Sequence, residues 1–213
     1  MSPTAAAPRP ARNAEQTRAR ILDVAAREFA ENGYGGARVD RIVELCGMSK
    51  NLLYHYFDGK EALFIAVIEL TYRRMRERQS EWTFRELAPA DGIRKLVTYT
   101  FDHFVEEPTV MRLINTENMH QAIHLQRATG VQQLYHPLVV AIEDLLARGR
   151  ESGEFRADVD PVDLYITISG LSYFYLSSRH TLSHLFQQDL MAPARLEQRR
   201  RHAIDVVLGY LRP

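Results

Sequence analysis

The 213-residue sequence predicts an all-α protein, and three observations carry that expectation. Strand-like alternation is scarce. Apolar residues recur instead at three- and four-residue spacing, the period of one helix face. Pro89, Pro108, Pro137, Pro161 and Pro193 stand where helices can begin, since a first-turn residue needs no N–H.

The elements follow in order. Ile21, Leu22, Ala25, Phe29 and Ala30 mark an amphipathic helix from about Glu15 to Glu31, with Asn32-Gly33 as its stop. A short helix runs from Val39 to Cys46, with Ile42, Val43 and Cys46 facing inward. Gly47 permits a tight turn, and Ser49 caps a third short helix, Lys50 to Tyr56, which ends at Asp58-Gly59. A fourth helix extends from Lys60 to about Glu81. Longer helices are expected near 89–106, 108–121, 123–152 (broken before Pro137), 161–179 and 193–211, with a turn over Glu151–Asp160.

Composition narrows the class. Hydrophobic residues make up 46% and charged residues 25%, and 27 Lys+Arg balance 27 Asp+Glu, which excludes collagen-like, disordered and strongly basic chains. A single cysteine, Cys46, excludes a disulfide framework and a cysteine-based zinc cage. The balance hides an asymmetry: residues 1–80 hold 13 basic and 10 acidic residues, and residues 81–213 hold 14 and 17. A basic lean at one end is a weak pointer to a polyanionic partner. Met1–Arg12 is rich in proline and alanine and lacks the apolar stretch of a secretory signal, so a disordered arm over 1–13 is expected. No stretch reaches the roughly 18 apolar residues of a membrane span. A soluble, cytoplasmic protein without a membrane partner is the expectation.

Helix, turn, short helix, Gly-x-Ser and a third short helix describe helix-turn-helix geometry. Val39, Ile42, Val43, Cys46, Met48 and Leu53 can form a small core, while Tyr56 and Phe57 read as core aromatics. Ser49, Lys50, Asn51, Tyr54 and His55 then remain at the start and outer face of the third helix. Free N–H groups at a helix start suit a phosphate, and the major groove admits a helix whose polar side chains read base edges.

The run ILDVAAREFAENGYGGARVDRIVELCGMSKNLLYHYFDGKEALFIAVI resembles the DNA-binding domain of the TetR family of bacterial transcriptional regulators. AAREFAENGY, VDRIV and above all MSKNLLYHYF followed by KEALF carry the match, over about Thr17 to Val67. The resemblance implies that Tyr54, His55 and Lys60 clamp phosphates, that Lys50 lies at the groove, and that Ser49 caps the recognition helix. Two positions depart from the family. Arg38 replaces a small hydroxyl residue before the second helix, and Asn51-Leu52 replaces Gly-Thr or Gly-Ala, so that Asn51 can pair with adenine and Leu52 can meet a thymine methyl. The resemblance also implies three parts: the arm (1–13), a DNA-binding domain (14–60) and a helical effector-binding and dimerisation domain (61–213, including a connecting helix over 60–81).

In that larger part, DLYITISGLSYFYLS is apolar on several sides and needs burial on several sides. Leu164, Ile168, Leu171 and Tyr175 form one stripe, and Ile166, Tyr173 and Phe174 form others. With Ile204, Val207, Leu208 and Leu211 of the last helix, the first stripe is the expected homodimer surface, with an intramolecular core as the alternative. His103, Asn115, Asn118, Met119, His120, Tyr135 and Tyr173 are the expected polar and aromatic contacts of a small-molecule effector, in a cavity walled by Phe101, Phe104, Met111, Ile114 and Met119. Glu117, His120 and His124 have a spacing that places metal ligands on one helix face. Eight histidines produce such spacing by chance, and no metal or cofactor is expected.

The leading function is a ligand-responsive transcriptional regulator, a repressor, binding a palindromic double-stranded operator as a homodimer. The alternatives are a helical interaction protein or an enzyme without DNA binding. The sequence lacks G-x-S-x-G, P-loop, G-x-G-x-x-G and HExxH motifs, so no enzyme is expected.

Overall fold

The computed structural model describes residues 9–80 and 84–213. Among them the regular elements are helices: α1 (Arg9–Gly36), α2 (Val39–Cys46), α3 (Lys50–Tyr56), α4 (Gly59–Ser80), α5 (Pro89–Glu106), α6 (Pro108–Met119), α7 (His136–Glu151), α8 (Pro161–Ser177), α9 (Arg179–Phe186) and α10 (Pro193–Leu211). Short 3-10 turns occupy Phe84–Glu86, Leu125–Arg127 and Gln132–Leu134. No described helix is long and apolar enough to cross a membrane.

Most boundaries follow local chemistry. The five prolines all lie at helix starts, and Asp160 caps α8 by accepting the N–H groups of Val162 and Asp163, both at 2.8 Å. Three boundaries differ from expectation. α1 begins at Arg9, so the expected arm is helical over its last five positions; the first eight residues lie outside the described ones. Pro10 sits in the first turn, where it is tolerated, and the following Ala, Glu, Gln and Arg are good helix formers. α6 stops at Met119 because Gln121 and Ala122 are left-handed (φ 56° and 59°), and regular helix resumes only at His136. The helix expected over 161–179 ends at Ser177, and a separate α9 follows.

The chain divides into two compact units. The first comprises the chain up to Tyr72 together with Arg112–Thr129; the second comprises Arg73–Met111 and Gly130–Pro213. The units therefore do not part at residue 60: the first helices of the chain need the later segment 112–129 to complete their core. That core buries Ile21, Ala25, Phe29, Ile42, Cys46, Leu53, Leu63 and Phe64, with Leu113 from α6. The second core joins α5, α7, α8 and α10 through Ile93, Leu96, Val97, Ile142, Leu145, Ile168 and Val207.

A buried carboxylate shapes segment 112–129. Glu117, 3% exposed, accepts the backbone N–H groups of His124 (2.9 Å) and Leu125 (2.8 Å), and its other oxygen lies 2.9 Å from His124 Nδ1. His124 is itself buried, and its ring lies against Tyr34 and Phe64. One side chain thus satisfies the backbone that the left-handed residues expose. Glu117→Ala strands two N–H groups and the imidazole, and is expected to lower unfolding free energy by about 3 kcal/mol. Urea titration followed by circular dichroism measures it.

Candidate nucleic-acid interface

The interface is built around a helix too short to persist alone. α3 has seven residues, below the length at which a helix is stable in water. Three contacts hold it. Gly47 takes a left-handed conformation (φ 61°, ψ 41°) that closes α2, its N–H donating to Glu44 O at 2.9 Å while Met48 N–H donates to Val43 O at 3.1 Å. Ser49 is extended, and its hydroxyl accepts the Leu52 N–H at 3.2 Å, the cap expected from sequence. Leu53 is fully buried and Phe57 nearly so, anchoring α3 on α1, α2 and α4.

With Leu53 inward and Tyr56 half-buried beside it, the remaining positions of α3 point to solvent. Ser49, Lys50, Asn51, Leu52, Tyr54 and His55 are all exposed, so six of the eight expected DNA contacts share one short helix and its cap. Leu52 and Tyr54 are exposed large apolar side chains, which a folded chain has no internal reason to present. Arg38 stands exposed at the entry to α2 and makes no side-chain cap. Lys60 is half-buried in the first turn of α4, donating to Gly35 O at 3.4 Å and lying 5.0 Å over the Tyr34 ring. Burial pushes its ammonium below the usual lysine range, and Glu28 partly offsets this. Lys50 pairs with Asp40 at 2.7 Å; that hydrogen bond, with Asp40's charge, raises its pKa. Sequence reasoning missed Asp40, which spans α2 and α3 and looks like an ordinary surface charge in the sequence.

The family described as "Bacterial regulatory proteins, tetR family" matches residues 21–67, and "Tetracyclin repressor-like, C-terminal domain" matches residues 89–207, more than half of the chain. The chain belongs to the TetR family. The transcriptional repressor NicS of Pseudomonas putida is 32% identical over 180 residues, covering 84% of this chain and 85% of NicS. Among solved structures, Streptomyces coelicolor SCO4942 is 28% identical with a TM-score of 0.69, over 92% of this chain and 99% of that one. The AibR complex with isovaleryl coenzyme A and operator DNA shares the fold at a TM-score of 0.68 and 18% identity, over 89% and 97% of the two chains. A TetR-family chain is a transcriptional regulator rather than an enzyme.

The other expected sites of this TetR-family regulator fare differently. The effector residues divide between the units: Asn115, Asn118, Met119 and His120 belong to the first, and His103, Tyr135 and Tyr173 to the second. Met119 is 83% exposed and Asn118 is exposed as well, so neither lines a cavity. His120 is half-buried, its Nδ1 2.7 Å from Thr116 O. No group of three or more His, Cys, Asp or Glu among the described residues is arranged to hold a metal, and Glu117 is committed to His124 and the backbone. In the second unit His103 is buried, stacked on Tyr99 at 5.6 Å, beside an open groove of about 280 Å³ along α5. Tyr173 meets Phe104 edge-on at 5.7 Å. Tyr135 lies under the buried guanidinium of Arg76 at 3.9 Å, and Arg76 Nη2 donates to Tyr165 OH at 2.6 Å. Arg76 is not among the site residues expected from the sequence.

The expected dimer stripe is corrected. Leu164, Ile168, Tyr175, Ile204, Val207 and Leu211 are buried inside the chain, all but Tyr175 within the second core, and Leu171 and Leu208 are half-buried against that core. Tyr175 donates its hydroxyl to Leu190 O at 2.8 Å. The α8 part of the stripe packs on α5, α7 and α10, and the α10 part on α5 and α8. Ser49→Ala is expected to remove the α3 cap and lower unfolding free energy by about 1 kcal/mol, readable from the urea midpoint.

Proposed function

We propose that this TetR-family regulator is a ligand-responsive repressor that acts in the cytoplasm and binds a palindromic operator as a homodimer. The observation that carries the reading is α3, a capped and core-anchored helix that leaves Lys50, Asn51, Leu52, Tyr54 and His55 to solvent. Such a helix enters a major groove, with Asn51 and Leu52 at base edges, Lys50 at the groove, and Tyr54, His55, Lys60 and Arg38 at phosphates. NicS, the relative whose name states repression, supports the sign of regulation.

One recognition helix reads few base pairs, so two half-sites about 34 Å apart or more need a two-fold dimer. Supporting this, α8 and α10 carry a second apolar face left outside the core. Val162, Ile166 and Phe174 lie on one α8 face, with Ile166 59% and Phe174 62% exposed. Gly170 sits between them with open space around it, and Val206 and Tyr210 are exposed on α10. A small-molecule effector bound near His103, Tyr135 and Tyr173 acts by favouring the conformation that does not fit the operator.

The first test is binding of the full-length chain to duplex DNA from upstream of its own gene, as a salt series with an unrelated duplex as control. The upstream duplex is expected to bind tightly at moderate salt, and Tyr54→Ala to weaken it by at least tenfold, about 1–3 kcal/mol for a lost contact. Equal, salt-sensitive binding to both duplexes removes the operator reading. Phe174→Glu is expected to yield monomers by sedimentation without unfolding the chain. A Phe174→Glu dimer moves the interface off α8.

A further inference from the structure

Glu28 is a carboxylate where the rest of the α1 face is apolar. It lies on the last turns of α1, 3% exposed, one position before the fully buried Phe29. Burying an ionised carboxylate is costly unless it is paired. Its partners come from α2. Oε1 accepts the backbone N–H of Arg38 at 3.1 Å, at the residue that opens α2. Oε2 lies 3.1 Å from Arg41 Nε, at ion-pair distance without the alignment of a hydrogen bond. Glu28 also acts electrostatically on Lys60. The carboxylate is therefore the common partner of the α2 entry and the Arg41 guanidinium, and its charge favours the Lys60 ammonium.

The geometry points to Glu28 as a positioning residue for DNA binding, acting through Arg41, which becomes a further phosphate contact. Arg41 holds its Nε toward a buried anion while more than half of its side chain stays in solvent. An arginine engaged through Nε alone keeps its two terminal nitrogens, the fork that suits a phosphate, for another partner. It sits in the first turn of α2, three residues after Arg38, and helical side chains lean toward the N-terminus. In helix-turn-helix docking the helix before the recognition helix crosses the phosphate backbone. Glu28 also fixes the backbone at Arg38, so one buried charge sets both the start of α2 and the direction of its arginine. The inference rests on the DNA-binding reading.

The test measures binding of the full-length chain to a duplex that the wild-type protein recovers from a randomised pool, across a salt series. Glu28→Gln keeps an acceptor for the Arg38 N–H and removes the charge that holds Arg41. It is expected to weaken binding about tenfold, the scale of coupling between contacting residues. The sign is informative, because deleting a negative charge beside a polyanion otherwise tightens binding. Arg41→Met is expected to weaken binding similarly and to reduce the salt slope by about 1. The double variant is expected to bind no worse than Arg41→Met alone. Unchanged or tighter binding by Glu28→Gln, or multiplicative losses in the double variant, overturns the assignment. If Glu28→Gln does not fold, Arg41→Met decides alone: an unchanged affinity and salt slope overturns it. Should the wild-type chain recover no duplex, the DNA-binding reading falls and this one with it; wild-type binding with insensitive variants removes only this one.

Discussion

The burial of Leu53 is the contact on which the DNA face depends. A seven-residue helix does not pay its own nucleation cost in water, so α3 exists because its one fully buried residue packs among Ile42, Val43 and Cys46 of α2 and residues of α1 and α4, with Tyr56 half-buried beside it. The Ser49 cap and the left-handed Gly47 set where α3 begins and at what angle it leaves α2. Because only Leu53 and, partly, Tyr56 of α3 turn to the core, the other positions are free to carry chemistry-bearing side chains. Rigidity and recognition divide cleanly between neighbouring residues.

The same unit holds three acidic residues with different work. Asp40 pairs with Lys50 at the surface, Glu28 pairs with Arg41 from inside, and Glu117 satisfies a loop backbone together with His124. Exposed pairs contribute little to stability, so the Asp40 contact matters chiefly for where Lys50 points. The buried ones are different, since removing one partner leaves a desolvated charge. Segment 112–129 is fastened to α4 by Arg127 on Glu61 and by the Thr129 N–H on Glu69 at 2.8 Å. A later segment of the chain is thus part of the DNA-binding unit.

Much of this was legible in the sequence. The first four helices, the Ser49 cap, the inward Ile42, Val43, Cys46 and Leu53, and the outward Lys50, Asn51, Tyr54 and His55 all follow from short-range patterns. The dimer stripe did not, because α8 is apolar nearly all round. Leu164 and Ile168 face the chain's own core, while Ile166 and Phe174 face out, and periodicity cannot say which apolar side a chain keeps for itself. The end of α6 was hidden for another reason: Gln121 and Ala122 are left-handed without being glycine or asparagine, so nothing local announces that the helix stops there.

The sequence by itself determined the fold class, the family and the recognition helix, because helix periodicity, caps and a contiguous motif are all local. Tertiary structure alone decided which charges are functional supports. Nothing local in the sequence marks Glu28 or Glu117 as a buried anchor; each becomes one only when α2 and the 120–125 turn close over them. Burial is a property of what lies opposite, and the residues opposite Glu28 are 10 and 13 positions further along the chain.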